Sequence, residues 1–155
     1  MKLLIIEAPG KLKKLLPMMK KLRPGEDWQV VASGGHIRDL PARGQDDSMI
    51  TTGVRKNYMP VYEILEKSAK AVRTIKAAAK QASEIYLATD PDREGESISW
   101  HIQQVLAVKV YKRITFNEIT LKRVEEALAN PRQIDLNRVA SQECRRVLDL
   151  SLIHI

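Results

Sequence analysis

The sequence predicts an α/β domain built on a mainly parallel, Rossmann-like sheet with helices on both faces, and three observations carry that prediction. Two compact aliphatic runs, Leu3-Leu4-Ile5-Ile6 and Ile85-Tyr86-Leu87-Ala88, have the unbroken apolar character of strands buried on both sides. The segments between the strand-like runs repeat their apolar residues every three or four positions, as amphipathic helices do. Strand alternating with helix requires crossover connections, and these are right-handed in a parallel sheet.

The elements follow in order. The first strand runs to Ile6 and is closed by Glu7 and the turn-like Pro9-Gly10. From Lys11, the residues Leu12, Leu15, Leu16, Met19 and Leu22 mark one face of a helix that turns its lysines outward and stops at Pro24-Gly25. Trp28 to Ala32 is a short β-rich run that opens into Ser33-Gly34-Gly35-His36, and the polar stretch from about Arg38 to Lys56 reads as a long loop. Tyr62 to about Ala82 has no Gly or Pro and places Ile64, Leu65, Val72, Ile75 and Ala79 near one face, which predicts a helix. Glu84 to Thr89 is the next strand and runs into Asp90-Pro91-Asp92-Arg93-Glu94-Gly95-Glu96, after which Ile98, Ile102, Val105 and Leu106 mark another helix. Lys112 to Phe116 reads as a strand, Thr120 as the cap of a helix to about Ala129, and Asp135 as the start of a last helix to about Asp149.

A length of 155 residues amounts to one domain and is too short for a complete multi-domain enzyme. With 44% hydrophobic and 29% charged residues, the composition excludes disordered, collagen-like and disulfide-rich classes. No apolar run approaches the roughly 18 residues of a membrane span, and Glu7 arrives too early for a signal peptide, so no membrane is expected and the cytoplasm is the expected compartment. Cys144 is the single cysteine; it offers no internal disulfide and no metal-site spacing, and reads as a small, partly buried side chain. The 26 Lys and Arg against 19 Asp and Glu give +7, which points toward a polyanion such as nucleic acid, although a merely soluble protein also carries such a surplus.

In open α/β sheets the working site lies beyond the carboxyl ends of the strands. Two of those ends are acidic here: Glu7 after the first strand, and Asp90, Asp92 and Glu94 after the later one. Alternate residues of an extended segment point the same way, so Asp90 and Asp92 are placed to converge on one cation with Glu94 reaching it from the helix start. An all-carboxylate set of this kind suits a hard divalent ion, Mg²⁺ above all. The alternative is that the acids cap a helix N-terminus, which accounts for one or two of them. It does not account for Gly95, which has no helix-forming merit unless a backbone or ligand approaches closely. Lys11 at a helix start suits an anion such as a phosphate, or is an ordinary surface lysine. His36 is either structural or active, His101 sits among apolar helix positions as a packed side chain, and Trp28 and Trp100 are core or near-core.

Together, Glu7-Ala-Pro-Gly-Lys11, Ser33-Gly-Gly-His-Ile-Arg-Asp-Leu-Pro41, Ala88-Thr-Asp-Pro-Asp-Arg-Glu-Gly-Glu96 with Trp100-His101, and Phe116-Asn-Glu-Ile-Thr120 resemble the N-terminal Toprim domain of bacterial type IA DNA topoisomerases, in order and in spacing, over about residues 1 to 149. The resemblance implies ATP-independent relaxation of negatively supercoiled DNA: a tyrosine cuts one strand, a second region of DNA passes, and the cut is rejoined. It implies that Glu7 is the general acid–base for the 3′-oxygen, that Lys11 stabilises the scissile phosphate, and that Asp90, Asp92 and Glu94, with Glu7 beside them, hold Mg²⁺. It also implies DNA contacts from His36, Arg38, Arg93 and Arg113, and from Arg145, Arg146 and Asp149 on a helix that grips single-stranded DNA. Residues 1–130 would be the Toprim domain and 131–149 the start of a following helical DNA-binding domain.

Two departures stand out. Tyr58, Tyr62, Tyr86 and Tyr111 match none of the family's nucleophile motif, so the chain alone is expected to be inactive and to depend on further topoisomerase domains, with a monomer expected. Leu150 replaces the arginine that usually follows Asp149, and 150–155 read as a tail outside the family pattern, the scar of a truncation. Two other functions compete: a stand-alone Toprim nuclease in which the metal activates water, and a non-catalytic nucleic-acid-binding module driven by charge.

Overall fold

The computed structural model describes residues 1–40 and 62–153. Its elements are β1 (Lys2–Ile6), α1 (Leu12–Leu22), β2 (Trp28–Ala32), β3 (Arg38–Asp39), β4 (Glu63–Ile64), α2 (Ala69–Gln81), β5 (Glu84–Leu87), α3 (Arg93–Leu106), β6 (Lys112–Arg113), α4 (Leu121–Ala129) and α5 (Leu136–Ile153). The main sheet has the order β2-β1-β5-β6 and all its pairs are parallel, as the alternating pattern predicts.

Leu3 to Ile6 are at most 3% exposed because β1 lies inside the sheet with a helical layer on each face. The two-residue period of a strand divides its side chains between those layers. Leu3 and Ile5 join Val72 and Ile75 of α2, Ile98 and Ile102 of α3, and Ile134 and Val139 near the start of α5. Leu4 and Ile6 join Leu15 and Met19 of α1, Trp28 and Tyr86, and Val124 and Leu128 of α4. The buried Trp28 and His101 match expectation, and Trp100 is half-buried against the first of these cores.

Four features differ from the sequence reading. The helix expected from Tyr62 begins only at Ala69: Glu63–Ile64 pairs antiparallel with Arg38–Asp39, and the Leu65 N–H donates to the Ile37 carbonyl at 2.9 Å. Helix propensity is a local quantity and is overridden here by pairing with a segment about 25 residues away. Arg38 and Asp39 are thus strand, and the expected loop from residue 41 onward lies outside the described residues. The strand expected over Lys112 to Phe116 keeps only Lys112–Arg113, and Arg113 also exchanges both backbone hydrogen bonds with Arg132 at 2.8 Å. Cys144 is exposed, since it falls on the outward side of α5. That helix also continues past Asp149 to Ile153.

Candidate functional site

β1 and β5 are parallel neighbours with Ile5 opposite Leu87, so the residues that follow them leave the sheet at the same edge. This places Glu7 beside Asp90, whose backbone N–H lies 3.4 Å from Glu7 Oε1. Glu7, Lys11, Asp90, Asp92, Phe116 and Asn117 line a cavity of about 160 Å³ there. Burial pushes the Glu7 carboxyl above the ordinary carboxylate range, the charges of Asp90, Asp92 and Glu94 add to the push, and the Asp90 N–H opposes it. A carboxyl tuned upward is suited to proton transfer near neutral pH. Lys11 ends a short 3-10 turn, Pro9–Lys11, and is exposed; among the described residues no carboxylate forms an ion pair with it.

The other acids are only partly convergent. Asp92 caps α3, its Oδ1 accepting from the Gly95 N–H at 2.7 Å, and Glu94 in the first turn faces His36 Nε2 at 3.1 Å. The capping alternative therefore holds for Asp92, while the exposed Asp90 carboxylate has no hydrogen-bond or ion-pair partner among the described residues. No group of three or more His, Cys, Asp and Glu among the described residues forms a ready-made metal cluster. The donors nonetheless fit a hard divalent ion: Glu7, Asp90 and Asp92 present only carboxylate oxygens to one cavity, and their mutual repulsion is what a cation would relieve. Gly95 meets its expectation, since a Cβ there would lie 1.9 Å from the Asp90 carbonyl oxygen.

Arg113 is a correction. It is expected to contact phosphate, and it is fully buried instead. Its Nε donates to Glu96 Oε1 at 2.8 Å, its Nη1 to the carbonyls of Thr89 at 2.6 Å and Ile114 at 2.9 Å, and its Nη2 to the Asp90 carbonyl at 2.7 Å. An arginine with every group engaged by the protein has none to offer to DNA; Arg113 holds the strand-end backbone that carries Asp90. Glu96, which sequence reasoning passed over, completes the node by accepting from Arg132 and from the Asp135 N–H at 2.9 Å. Burial alone would raise its carboxyl; the bonds from Arg132 and Asp135 and the Arg113 charge bring it below the ordinary range. The available signal was an arginine directly before Ile114 in a strand-like run, because a charge carried into a sheet needs a buried counterion.

His36, Arg38, Glu94, Arg146 and Asp149 meet at a second cavity of about 370 Å³, which Glu143 also lines, whereas Arg93 and Arg145 do not line it. Gly34 and Gly35, at φ 73° and 99°, take the left-handed turn that brings His36 to it. Arg38 lines the cavity and is held by the protein on one side: its Nε donates to His101 Nδ1 at 2.6 Å, and its guanidinium lies 4.9 Å from the Tyr62 ring and 5.2 Å from the Trp100 ring. His101 Nδ1 is then an acceptor and Nε2 the donor to Glu143 at 3.0 Å, a neutral tautomer in accord with the burial that lowers its pKa. Glu143, the other residue missed, also accepts from Ser97 and from Tyr62 at 2.8 Å. Burial works against its ionisation, but the bonds from His101, Ser97 and Tyr62 hold it down to about 2. Arg146 makes a two-pronged ion pair with Asp39 at 3.1 and 2.7 Å, Arg93 donates to Ser141 Oγ at 3.2 Å, and Arg145 and Asp149 are exposed.

Among the described residues no helix is long and apolar enough to cross a membrane. Residues 2–119 match the Toprim domain family. The chain is 49% identical to a plasmid-borne DNA topoisomerase I of Xylella fastidiosa over 150 residues, 96% of this chain and 21% of that protein. It is 44% identical to DNA topoisomerase 1 of Rickettsia prowazekii over 96% of this chain and 19% of that one. It thus spans about a fifth of the length of the curated relatives it matches. The solved full-length topoisomerase I of Thermotoga maritima superposes with a TM-score of 0.74 at 37% identity, over 96% of this chain and 24% of that one.

Proposed function

We propose that this chain, which belongs to the Toprim domain family, supplies the acid–base and metal-binding half of a type IA topoisomerase site that acts on single-stranded regions of negatively supercoiled DNA in the cytoplasm. The observation that carries this reading is Glu7: a half-buried carboxyl with a raised pKa, sharing one cavity with a cation at Lys11 and two exposed aspartates.

Glu7 gives its proton to the departing 3′-oxygen as the strand is cut and takes it back when the strand is rejoined. Lys11 offers its ammonium to the scissile phosphate and stabilises the negative charge that grows there. Asp90, Asp92 and, once released from His36, Glu94 would hold Mg²⁺, which when bound supplies positive charge for strand rejoining. Arg93, Arg145, Arg146 and Asp149, with His36 at the cavity edge, guide the strand; Arg38 orients His101 and the cavity wall. In this reading residues 1–130 are the Toprim part, 131–149 begin a helical DNA-binding part, and 150–155 lie outside the family pattern. In this reading the nucleophilic tyrosine comes from another domain: among the described residues Tyr86 is buried, Tyr62 is bonded to Glu143, and the Tyr111 hydroxyl accepts from the Ile134 N–H, while Tyr58 lies outside the described residues.

The test is a chimera in which this chain replaces the matching part of the Xylella topoisomerase, assayed for Mg²⁺-dependent relaxation of a supercoiled plasmid. The chimera is expected to relax DNA, and Glu7→Gln to slow it by about 10²–10⁴-fold, the usual range for a lost acid–base group. A folded chimera whose activity is indifferent to Glu7→Gln would sink the assignment. Nicking by the 155-residue chain alone, with no protein–DNA adduct, would favour a metal-activated water instead.

A further inference from the structure

One segment of this protein carries a large excess of positive charge. Lys11 to Arg23 holds six of the 26 Lys and Arg and none of the 19 acids, which leaves the other residues nearly balanced at 20 against 19. α1 buries Leu15 and Met19 and presents Lys13, Lys14, Lys20 and Lys21 to solvent. At 100° per residue these four form two rows along the outer surface, Lys13 with Lys20 and Lys14 with Lys21. Among the described residues none of the four has an ion-pair partner, whereas Lys2 and Lys112 at the sheet edge both pair with Glu84. The rows also lead somewhere: α1 follows directly on Lys11, which lines the Glu7 cavity.

We propose that the outer face of α1 is a docking surface for duplex DNA adjoining the site, distinct from the single-strand path along α5. The inference rests on the reading that the chain acts on DNA. Two parallel rows of positive charge match the two phosphate ridges that border a duplex groove, whereas a single strand offers one ridge. An eleven-residue helix is about 16 Å long, the rise of four to five base pairs. The face therefore engages a short flank, one end of which lies at the cavity holding Glu7 and Lys11.

α2 provides the internal control. It also carries four cations and no acid, Lys70, Arg73, Lys76 and Lys80, but it packs on the opposite face of the sheet from α1 and the Glu7 cavity. The experiment measures binding of the 155-residue chain to a fluorescein-labelled 20-base-pair duplex and to its single strand by anisotropy, across 50 to 200 mM KCl. K13Q/K14Q/K20Q/K21Q is expected to flatten the duplex salt slope by about three to four, near 0.9 per lost phosphate contact. The charge-matched K70Q/R73Q/K76Q/K80Q is expected to change it by less than about one. The one-row variant K13Q/K20Q, expected to have half the effect, serves if the quadruple variant unfolds. Equal losses from the α1 and α2 variants would show a diffuse field and overturn the proposal, as would no duplex binding or an α1 effect confined to the single strand. A chimera that fails to relax DNA while the α1-specific slope persists would defeat the functional reading and leave this surface standing.

Discussion

Glu96 and Asp90 lie six residues apart around the same strand-to-helix corner, and they are opposites. Glu96 is fully buried, accepts from Arg113, Arg132 and the Asp135 N–H, and has its carboxyl drawn below the ordinary range. Asp90 is exposed, has a carboxylate without a partner among the described residues, and helps push Glu7 upward. The side-chain chemistry is nearly identical, so the environment alone separates a structural acid from one with charge to spare. The two are also connected, because Arg113 grips Glu96 with Nε and the Asp90 carbonyl with Nη2. The satisfied acid holds still the backbone of the unsatisfied one.

The largest break comes from the buried side. Arg113→Met strands Glu96 without its buried counterion and should cost about 3–5 kcal/mol, read as a lowered urea midpoint. Arg113→Met with Glu96→Leu should recover much of that, and a double variant no better than the single one would deny the pairing its importance. Next comes the joint between the two regions. Gly95→Ala places a methyl against the Asp90 carbonyl and should cost about 1–3 kcal/mol as the loop shifts, with weaker Mg²⁺ binding by calorimetry. Unchanged stability there would mean the corner is softer than its geometry implies.

The smallest effect on folding, and the sharpest on chemistry, belongs to the exposed acids. Asp90→Asn with Asp92→Asn keeps the α3 cap, since Asn also caps, and should leave stability within about 0.5 kcal/mol while reducing Mg²⁺ affinity. It should also lower the Glu7 carboxyl toward its ordinary value, measurable by NMR titration. The sign follows from the raised pKa: the folded chain holds the Glu7 proton more tightly than the unfolded chain, so this contribution is present below the ordinary carboxylate value and is lost as pH rises through the raised one. The double variant should lose less stability over that interval. A Glu7 titration that does not move would separate it from the acid cluster.

Much of this was legible in the sequence. The parallel sheet followed from unbroken aliphatic runs, the placement of Glu7 and Asp90 from the rule that strand ends build sites, and the close approach at Gly95 from a glycine at the start of a helix. Tyr62 to Ser68 was misread because its composition suits a helix while its partner, Arg38–Asp39, lies far away in sequence. Arg113 was misread for a related reason: a charged residue near a site looks like a ligand contact until its burial is known.

The sequence by itself determined the alternation of strand and helix, the edge at which the acids gather and the excess of positive charge, because these follow from local periodicity and residue chemistry. Only the tertiary structure decided which acid is neutralised and which is left exposed, which arginine faces solvent, and that Glu94 turns to His36 while Glu7 turns to Asp90. Those outcomes depend on desolvation and on partners from distant segments, and neither is written in any local stretch of the chain.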